Sequence, residues 1–178
     1  TPTLILARTI SVLNGKQKNC GYFCLPFAPF CVYLWSAPRR DKLKKKKIGF
    51  VPTLGGLHKG HFELIKLAKK KTDIVVLSIF LNPLQFNSKN DFIKYPSNLN
   101  SDKRKINKKK VNILYLPSMK EVFPSKRIKR IKASSKSNKL CGKFRKGHFD
   151  GVVTVLKSLF EQVLPNIAFF GEKDFQQN

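Results

Sequence analysis

Two histidines, His58 and His61, are the residues in this sequence best placed to do chemistry. They stand three positions apart, after a short apolar run and at the start of a helical pattern. Residues three apart lie on one face of a helix, and the free N–H groups at a helix start attract anions. Gly55, Gly56 and Gly60 remove side chains where a phosphate would approach the backbone. The pattern favours phosphate chemistry, with capping or core histidines and a metal-binding pair as the alternatives.

Two more polar clusters follow apolar runs later in the chain. Residues 82–86 and residues 171–177 each come directly after such a run, as residues 52–61 do. If the runs are strands of a parallel sheet, the three clusters meet beyond the carboxyl ends of the strands, where α/β proteins bind ligands. The sequence therefore predicts a single site built from all three clusters.

The apolar periodicity that must position this site alternates between strand and helix. Leu64, Leu67 and Ala68 have helical spacing, and the near-continuous apolar run 73–81 is typical of a parallel strand buried on both faces. Strands are predicted at 48–51, 73–81, 111–116 and 167–170, and helices at 61–71, 101–110 and 152–163. This order predicts an α/β fold, a Rossmann-like doubly wound parallel sheet.

Composition limits the class of protein. The chain has 178 residues, enough for one domain with a core, and 36 Lys and Arg against 10 Asp and Glu give a formal net charge of +26. Lys, Ile, Asn and Phe are all plentiful, as AT-rich codons would supply, so we interpret the charge as a solvated surface. The alternative is a nucleic-acid-binding protein that uses Lys120–Lys139. The four cysteines match no zinc pattern and predict free thiols: Cys20, Cys24, Cys31 and Cys141.

The beginning of the chain differs from the rest. Residues 1–46 carry no periodic pattern, and we expect a poorly ordered extension before a domain over residues 47–178. The apolar stretch Cys20–Trp35 is shorter than the roughly 20 residues of a membrane-spanning helix, and Pro26 and Pro29 interrupt it. A targeting segment is the alternative. We expect no membrane association and a cytoplasmic location.

Longer strings around the polar clusters resemble one enzyme family. His58 to His61 fit the HxGH signature of the nucleotidylyltransferase superfamily, and the whole string VPTLGGLHKGH is similar to the pantothenate synthetase version of it. Four further strings resemble motifs of the same family, in the same order: Ser78–Phe86, Tyr95-Pro96, Gly147–Phe149 and Phe170–Gln177. Another nucleotidylyltransferase is the nearest enzyme alternative, and the motifs that contain Gln85 and Gln177 argue against it.

The resemblance implies a two-step reaction. The carboxylate of pantoate would attack the α-phosphate of ATP, giving pantoyl adenylate and pyrophosphate. The amine of β-alanine would then attack the adenylate and release AMP, leaving pantothenate. Mg²⁺ would accompany ATP, and the family is typically homodimeric.

The resemblance also implies a role for each matching residue. His61 would be the catalytic proton donor to the leaving pyrophosphate. Gln85 and Gln177 would bind pantoate, and Gln85 would also lie near β-alanine. Lys173 would neutralise phosphate charge. The ATP-binding residues would be Leu54, Gly55, Gly56, Leu57, His58, Lys59, Gly60, His61, Gly171, Glu172, Lys173 and Asp174.

Some positions depart from the family pattern. Leu54 stands where the family usually has Met, and residues 141–146 lack the acidic residue and the proline that usually precede Gly147. The family continues beyond the position of Asn178 with a further ATP loop and a smaller domain. We therefore expect this chain alone to bind nucleotide weakly and to form little or no pantothenate, and an inactive fragment is an alternative.

Overall fold

A parallel sheet with helices on both faces forms the centre of the structure. The computed structural model describes residues 7–9, 31–32, 45–107, 111–124, 128–134, 137 and 140–171. The strands are β1 (Ala7–Thr9), β2 (Cys31–Val32), β3 (Ile48–Thr53), β4 (Ile74–Ile79), β5 (Ile113–Tyr115) and β6 (Ile167–Phe169). The α-helices are α1 (Lys59–Lys71), α2 (Lys89–Ile93), α3 (Leu99–Asn107), α4 (Met119–Val122) and α5 (His148–Val163), with 3₁₀ turns at Pro83–Gln85 and Leu140–Lys143.

The strand order is β1-β6-β3-β4-β5-β2. The four inner strands, β6, β3, β4 and β5, are all parallel to one another. The last of them in the chain, β6, lies beside the first, β3, so the direction of winding reverses between these two strands. Such a switch point leaves a crevice beyond the carboxyl ends of the strands. The predicted α/β fold class is confirmed.

Strand β3 extends two residues beyond its predicted end, through Pro52 to Thr53. Pro52 is in register with Ser78 of β4, whereas the ladder between β3 and β6 ends at Phe50. Proline has no N–H to donate to a neighbouring strand. At Pro52 the strand has already parted from β6 and continues beside β4 alone. The crevice opens at that parting.

Helix α5 begins at His148, four residues before the predicted start at Val152. Gly147 precedes it with φ of 76°, a left-handed conformation that glycine adopts without the steric cost of a Cβ atom. The regular apolar pattern begins only at Val152, so periodicity alone missed the first turn of the helix.

Both faces of the sheet are buried. Successive residues of β4 point to opposite faces, so Val75 and Leu77 pack under α1 and α3, while Val76 packs under α5. Leu64 and Ile65 supply the largest buried side chains of α1. Burial on both faces explains why β4 reads as a continuous apolar run rather than as an alternating one.

Two short strands come from the segment for which the sequence predicted no structure. Strand β1 pairs antiparallel with β6, and β2 pairs parallel with β5, at opposite edges of the sheet. The rest of residues 1–44 lies outside the described part of the chain, so the predicted domain start at residue 47 stays a prediction. Among the described residues, none of the helices combines the length and the apolar character needed to cross a bilayer.

Candidate functional site

An open cleft of about 190 Å³ lies at the carboxyl ends of the strands. His58 and His61 reach it from the start of α1, Phe80 and Gln85 from the segment after β4, and Phe170 from the end of β6. The cleft therefore joins residues of the first two predicted clusters, whereas Gly171, the part of the third cluster that the structure describes, does not line it. Gly171 follows Phe170 directly and is half-buried, and four predicted site residues lie outside the described residues: Glu172, Lys173, Asp174 and Gln177.

Two glycines turn the chain sharply between β3 and α1. Gly55 and Gly56 have φ of 95° and 66°, values that cost residues with a Cβ atom roughly 1–2 kcal/mol. A Cβ atom on Gly56 would also lie 2.8 Å from the backbone oxygen of Pro96. These glycines are required by the turn itself.

The two histidines cap the start of α1 reciprocally. Nδ1 of His58 accepts a hydrogen bond from the N–H of Gly60 at 3.1 Å, and Nδ1 of His61 accepts from the N–H of His58 at 3.3 Å. A neutral imidazole that accepts at Nδ1 carries its proton on Nε2. Each ring therefore has an Nε2–H donor, and the ring centroids lie 4.1 Å apart. The sequence left helix capping and phosphate binding as alternative roles for these histidines. Here the Nδ1 atoms cap the helix, so the Nε2 side of each ring can still serve a phosphate.

Two backbone N–H groups of this loop already donate to Asp102, a residue that the sequence did not single out. The carboxylate of Asp102 accepts hydrogen bonds from the N–H groups of Gly56 and Leu57, at 2.8 and 2.9 Å. These two N–H groups are therefore not free for a ligand. The remaining positive character of the loop lies at the start of α1, whose first turn has no acidic residue.

Gln85 is buried at the cleft, with 8% of its surface exposed. Its Oε1 accepts from Nδ2 of Asn82 at 3.2 Å, and the same Asn82 nitrogen donates to the backbone oxygen of Gly151 at 3.1 Å. Asn82 thus fixes the orientation of the Gln85 amide and leaves its NH₂ group as a donor for a ligand. The sequence missed the roles of Asn82 and Gly151, because their contact joins residues 69 positions apart.

His148 connects α5 to the turn that carries Gln85. Its Nδ1 lies 2.7 Å from the backbone oxygen of Gln85. Burial lowers the pKa of His148, the hydrogen bond to Gln85 partly opposes this, and the charge of Arg145 lowers it further. The ring is therefore neutral near pH 7, with its proton on Nδ1 and donated to Gln85. The string Gly147-His148-Phe149 resembles a motif of the family, but the spacing of residues does not predict this contact.

We expect the free energy of unfolding to decrease as the pH falls below about 6.5, the ordinary pKa of histidine. A lowered pKa in the folded state means that the unfolded chain binds a proton first. The contribution of His148 is therefore complete above its ordinary pKa and is lost as the pH falls through the folded value. Urea denaturation between about pH 5 and pH 8 measures this. Asparagine keeps a hydrogen-bond donor but does not titrate, so in His148→Asn the free energy of unfolding should depend less steeply on pH. An unchanged pH dependence would contradict the role given to His148.

The wall opposite the histidines is apolar. Helix α5 contributes Val152, Val155, Leu156 and Leu159 to the cleft, and none of the described lining residues is acidic. Donors on one side and a hydrocarbon wall on the other suit a small anion that carries apolar groups. In the described ranges, no group of three or more His, Cys, Asp or Glu side chains is placed to hold a metal ion.

Comparison with known proteins places this cleft in context. The family model for pantoate-beta-alanine ligase matches residues 33–178. The pantothenate synthetase of Thermoanaerobacter sp. (strain X514) is 45% identical over 139 residues, which are 78% of this chain and 49% of that protein. That of Sulfurihydrogenibium sp. (strain YO3AOP1) is 47% identical over 136 residues, 76% of this chain and 49% of that protein. The chain thus spans about half the length of these curated relatives.

Solved structures give the same result. The pantoate-beta-alanine ligase of Francisella tularensis, complexed with beta-gamma ATP and beta-alanine, superposes with a TM-score of 0.75 at 45% identity, covering 78% of this chain and 54% of that one. Pantothenate synthetase from Thermus thermophilus gives a TM-score of 0.70 at 40% identity, covering 74% and 48%. The structural similarity therefore extends over about three quarters of this chain.

Proposed function

This chain belongs to the pantoate–β-alanine ligase family, and from that premise we propose that it takes part in the ATP-dependent condensation of pantoate with β-alanine. The product would be pantothenate, formed through a pantoyl adenylate with release of pyrophosphate and AMP. The observation that supports this best is the meeting of His58, His61 and Gln85 at one cleft beside the β3–β6 crevice. The family does not favour a nucleic-acid-binding role.

We propose that the triphosphate of ATP lies against the start of α1. When a carboxylate oxygen of pantoate attacks the α-phosphorus, the bond from that phosphorus to the bridging oxygen of pyrophosphate breaks. Negative charge then grows on the departing pyrophosphate. His61, as the catalytic residue, would donate its Nε2–H to that charge, and His58 would add a second donor. Preorganised donors of this kind stabilise the transition state because they need not reorient as charge develops.

Pantoate would lie between Gln85 and α5. Its two methyl groups suit the wall formed by Val152, Val155 and neighbouring leucines, and the NH₂ group of Gln85 would donate to its oxygen atoms. An amide orients an anion without adding a charge that competes with the phosphate donors. β-Alanine would enter near Gln85 for the second step, in which its amine attacks the acyl carbon and AMP leaves.

The remaining family assignments also stand as proposals. Gly171, Glu172, Lys173 and Asp174 would complete the ATP site, and Gln177 would bind pantoate. Mg²⁺ would enter with ATP, since it commonly binds through substrate phosphates and water. The described residues offer it no cage of carboxylates, and the oxygens of Asp102 are already used. A homodimer and a cytoplasmic location are proposed from the family alone.

The test is pantoate-dependent exchange of labelled pyrophosphate into ATP, which isolates the first step. It is run on this chain and on the same chain extended by the further sequence that its full-length relatives have. Exchange that requires pantoate, together with pantothenate formation when β-alanine is added, would support the proposal. Extended protein that folds but exchanges no label would refute it.

Replacement of Gln85 by leucine tests the pantoate site. We expect the KM for pantoate in the exchange assay to rise about tenfold, because a buried ligand group loses its donor, while the KM for ATP changes little. Asn90→Leu is the matched control, since Asn90 is an exposed amide on α2. Equal effects on pantoate and ATP would contradict the assignment.

A further inference from the structure

Among the residues that the structure describes, Asp102 is the most deeply buried carboxylate beside the cleft, with 2% of its surface exposed. It lies in the first turn of α3, which begins at Leu99. A buried carboxylate is costly unless hydrogen bonds or a positive charge satisfy it. Its partners should therefore reveal what it holds in place.

Those partners belong to the loop between β3 and α1. The two oxygens of Asp102 accept from the backbone N–H groups of Gly56 and Leu57. One turn further along α3, Nζ of Lys105 donates to the backbone oxygen of Leu57 at 2.9 Å. A single face of α3 thus contacts both N–H groups and a carbonyl of a loop that lies more than 40 residues earlier in the chain.

The loop needs such support because its glycines have few conformational preferences of their own. Gly55 and Gly56 can adopt many backbone conformations, and holding each of them in one conformation has an entropic cost. Leu57 is followed directly by His58, whose ring caps α1 and lines the cleft. A shift at Leu57 would therefore move His58, and with it His61, whose ring accepts from the His58 backbone.

Charge explains why the support has two residues. A carboxylate this close to a triphosphate would repel it. Nζ of Lys105 lies 3.9 Å from Oδ1 of Asp102, so the pair together adds no net charge to the loop. The backbone hydrogen bonds are kept, and the field that a phosphate meets stays positive at the start of α1.

We propose that Asp102, together with Lys105, is a positioning residue pair that sets the two histidines at the distance and orientation needed for the phosphates of ATP. This inference rests on the proposed function, because it takes ATP as the ligand of the loop. The pair touches the loop backbone and acts on the ligand through His58 and His61.

The first experiment needs no ligand. Amide hydrogen exchange in the 178-residue chain is compared with that of Asp102→Asn and of Asp91→Asn, an exposed aspartate on α2 that serves as the matched control. An asparagine can accept from one of the two N–H groups and leaves the other opposed by its own NH₂ group. We expect the amides of Gly56 and Leu57 to exchange at least about tenfold faster in Asp102→Asn. The amide of Val76, in the sheet, should be unchanged.

The second experiment uses ATP with Mg²⁺, and adenosine as the probe that lacks phosphates. Calorimetry should give about a tenfold weaker Kd for ATP in Asp102→Asn, with adenosine binding within about twofold of the unchanged chain. A general loss of structure would weaken both. Asp102→Glu, which keeps the charge but lengthens the side chain, should recover part of the ATP affinity, and Asp91→Asn should keep the full affinity.

Each outcome decides a question. Unchanged exchange at Gly56 and Leu57, or parallel loss of ATP and adenosine binding, would overturn the proposal. If Asp102→Asn does not fold, Lys105→Met must show the loss specific to ATP, and a normal ATP affinity in that variant overturns the proposal as well. A wild-type chain that folds but binds no ATP would count against the proposed function and against the ATP part of this inference. The amide hydrogen exchange rates of Gly56 and Leu57 would then still decide whether Asp102 holds the loop.

Discussion

Replacement of His61 by alanine should lower the rate of pantoate-dependent pyrophosphate exchange by on the order of 10² or more. His61 contributes an Nε2–H donor at the cleft, and its Nδ1 caps α1 by accepting from His58. Alanine removes both functions. The measurement is kcat for exchange, made on the chain extended to the length of its relatives, with the folded fraction checked by circular dichroism.

Two further variants separate capping from catalysis. His61→Asn retains an acceptor near the position of Nδ1, and His61→Gln retains a donor near that of Nε2. We expect the asparagine variant to be nearly as stable as the unchanged protein but almost inactive, and the glutamine variant to recover part of the exchange rate. If the asparagine variant has full activity, the donor of His61 is not needed and the proposed role is wrong.

Replacement of Gly151 by alanine should destabilise the protein by about 2 kcal/mol or more. Helix propensity alone predicts the opposite, a gain of about 1 kcal/mol in α5. However, a Cβ atom at this position would lie 2.3 Å from the backbone oxygen of Leu84 and 2.8 Å from the nitrogen of Gln85. The helix and the turn would have to separate, and the Asn82 bond to Gly151 would be strained. Urea denaturation gives the sign of the change directly.

Gly147→Ala is the control for this effect. Gly147 precedes the same helix, and a Cβ atom there would meet nothing within 4 Å. Its φ of 76° should still cost about 1–2 kcal/mol. The Gly151 variant alone should also raise the KM for pantoate, because it displaces Gln85. Stabilisation by Gly151→Ala would mean that α5 does not pack this closely on the turn.

The sequence predicted the centre of this fold because long, periodic elements carry their own signal. Helix α1 was placed within two residues of its observed start, and strand β4 within two residues at each end. The short helices α2 and α4, of five and four residues, give no period to detect. The capping box of Ser118 and Glu121 at the start of α4 is a signal that could have located it.

The candidate site was predicted in part, for a physical reason. Glycines, histidines and strand ends are local features, so the sequence could point in advance to lining residues such as His58, His61 and Gln85. Asp102 could not be identified in this way, since a carboxylate in a polar helix looks like a solvent-exposed residue until the helix is packed. Its contacts, and those of His148, join segments 45 to 63 positions apart. Such pairings depend on the fold and leave no trace in the spacing of residues.

The position of β6 has a consequence for how the protein is made. The first inner strand, β3, pairs on one side with a strand that leaves the ribosome much later, and the N–H of Ile48 bonds to the side chain of Asn166, 118 residues further on. At roughly 5–20 residues per second, β3 waits about 6–24 s for this neighbour. Strands β4 and β5 can join β3 sooner. The nascent sheet therefore carries an unpaired, apolar inner edge for many seconds, at which chaperones or a second nascent chain could bind.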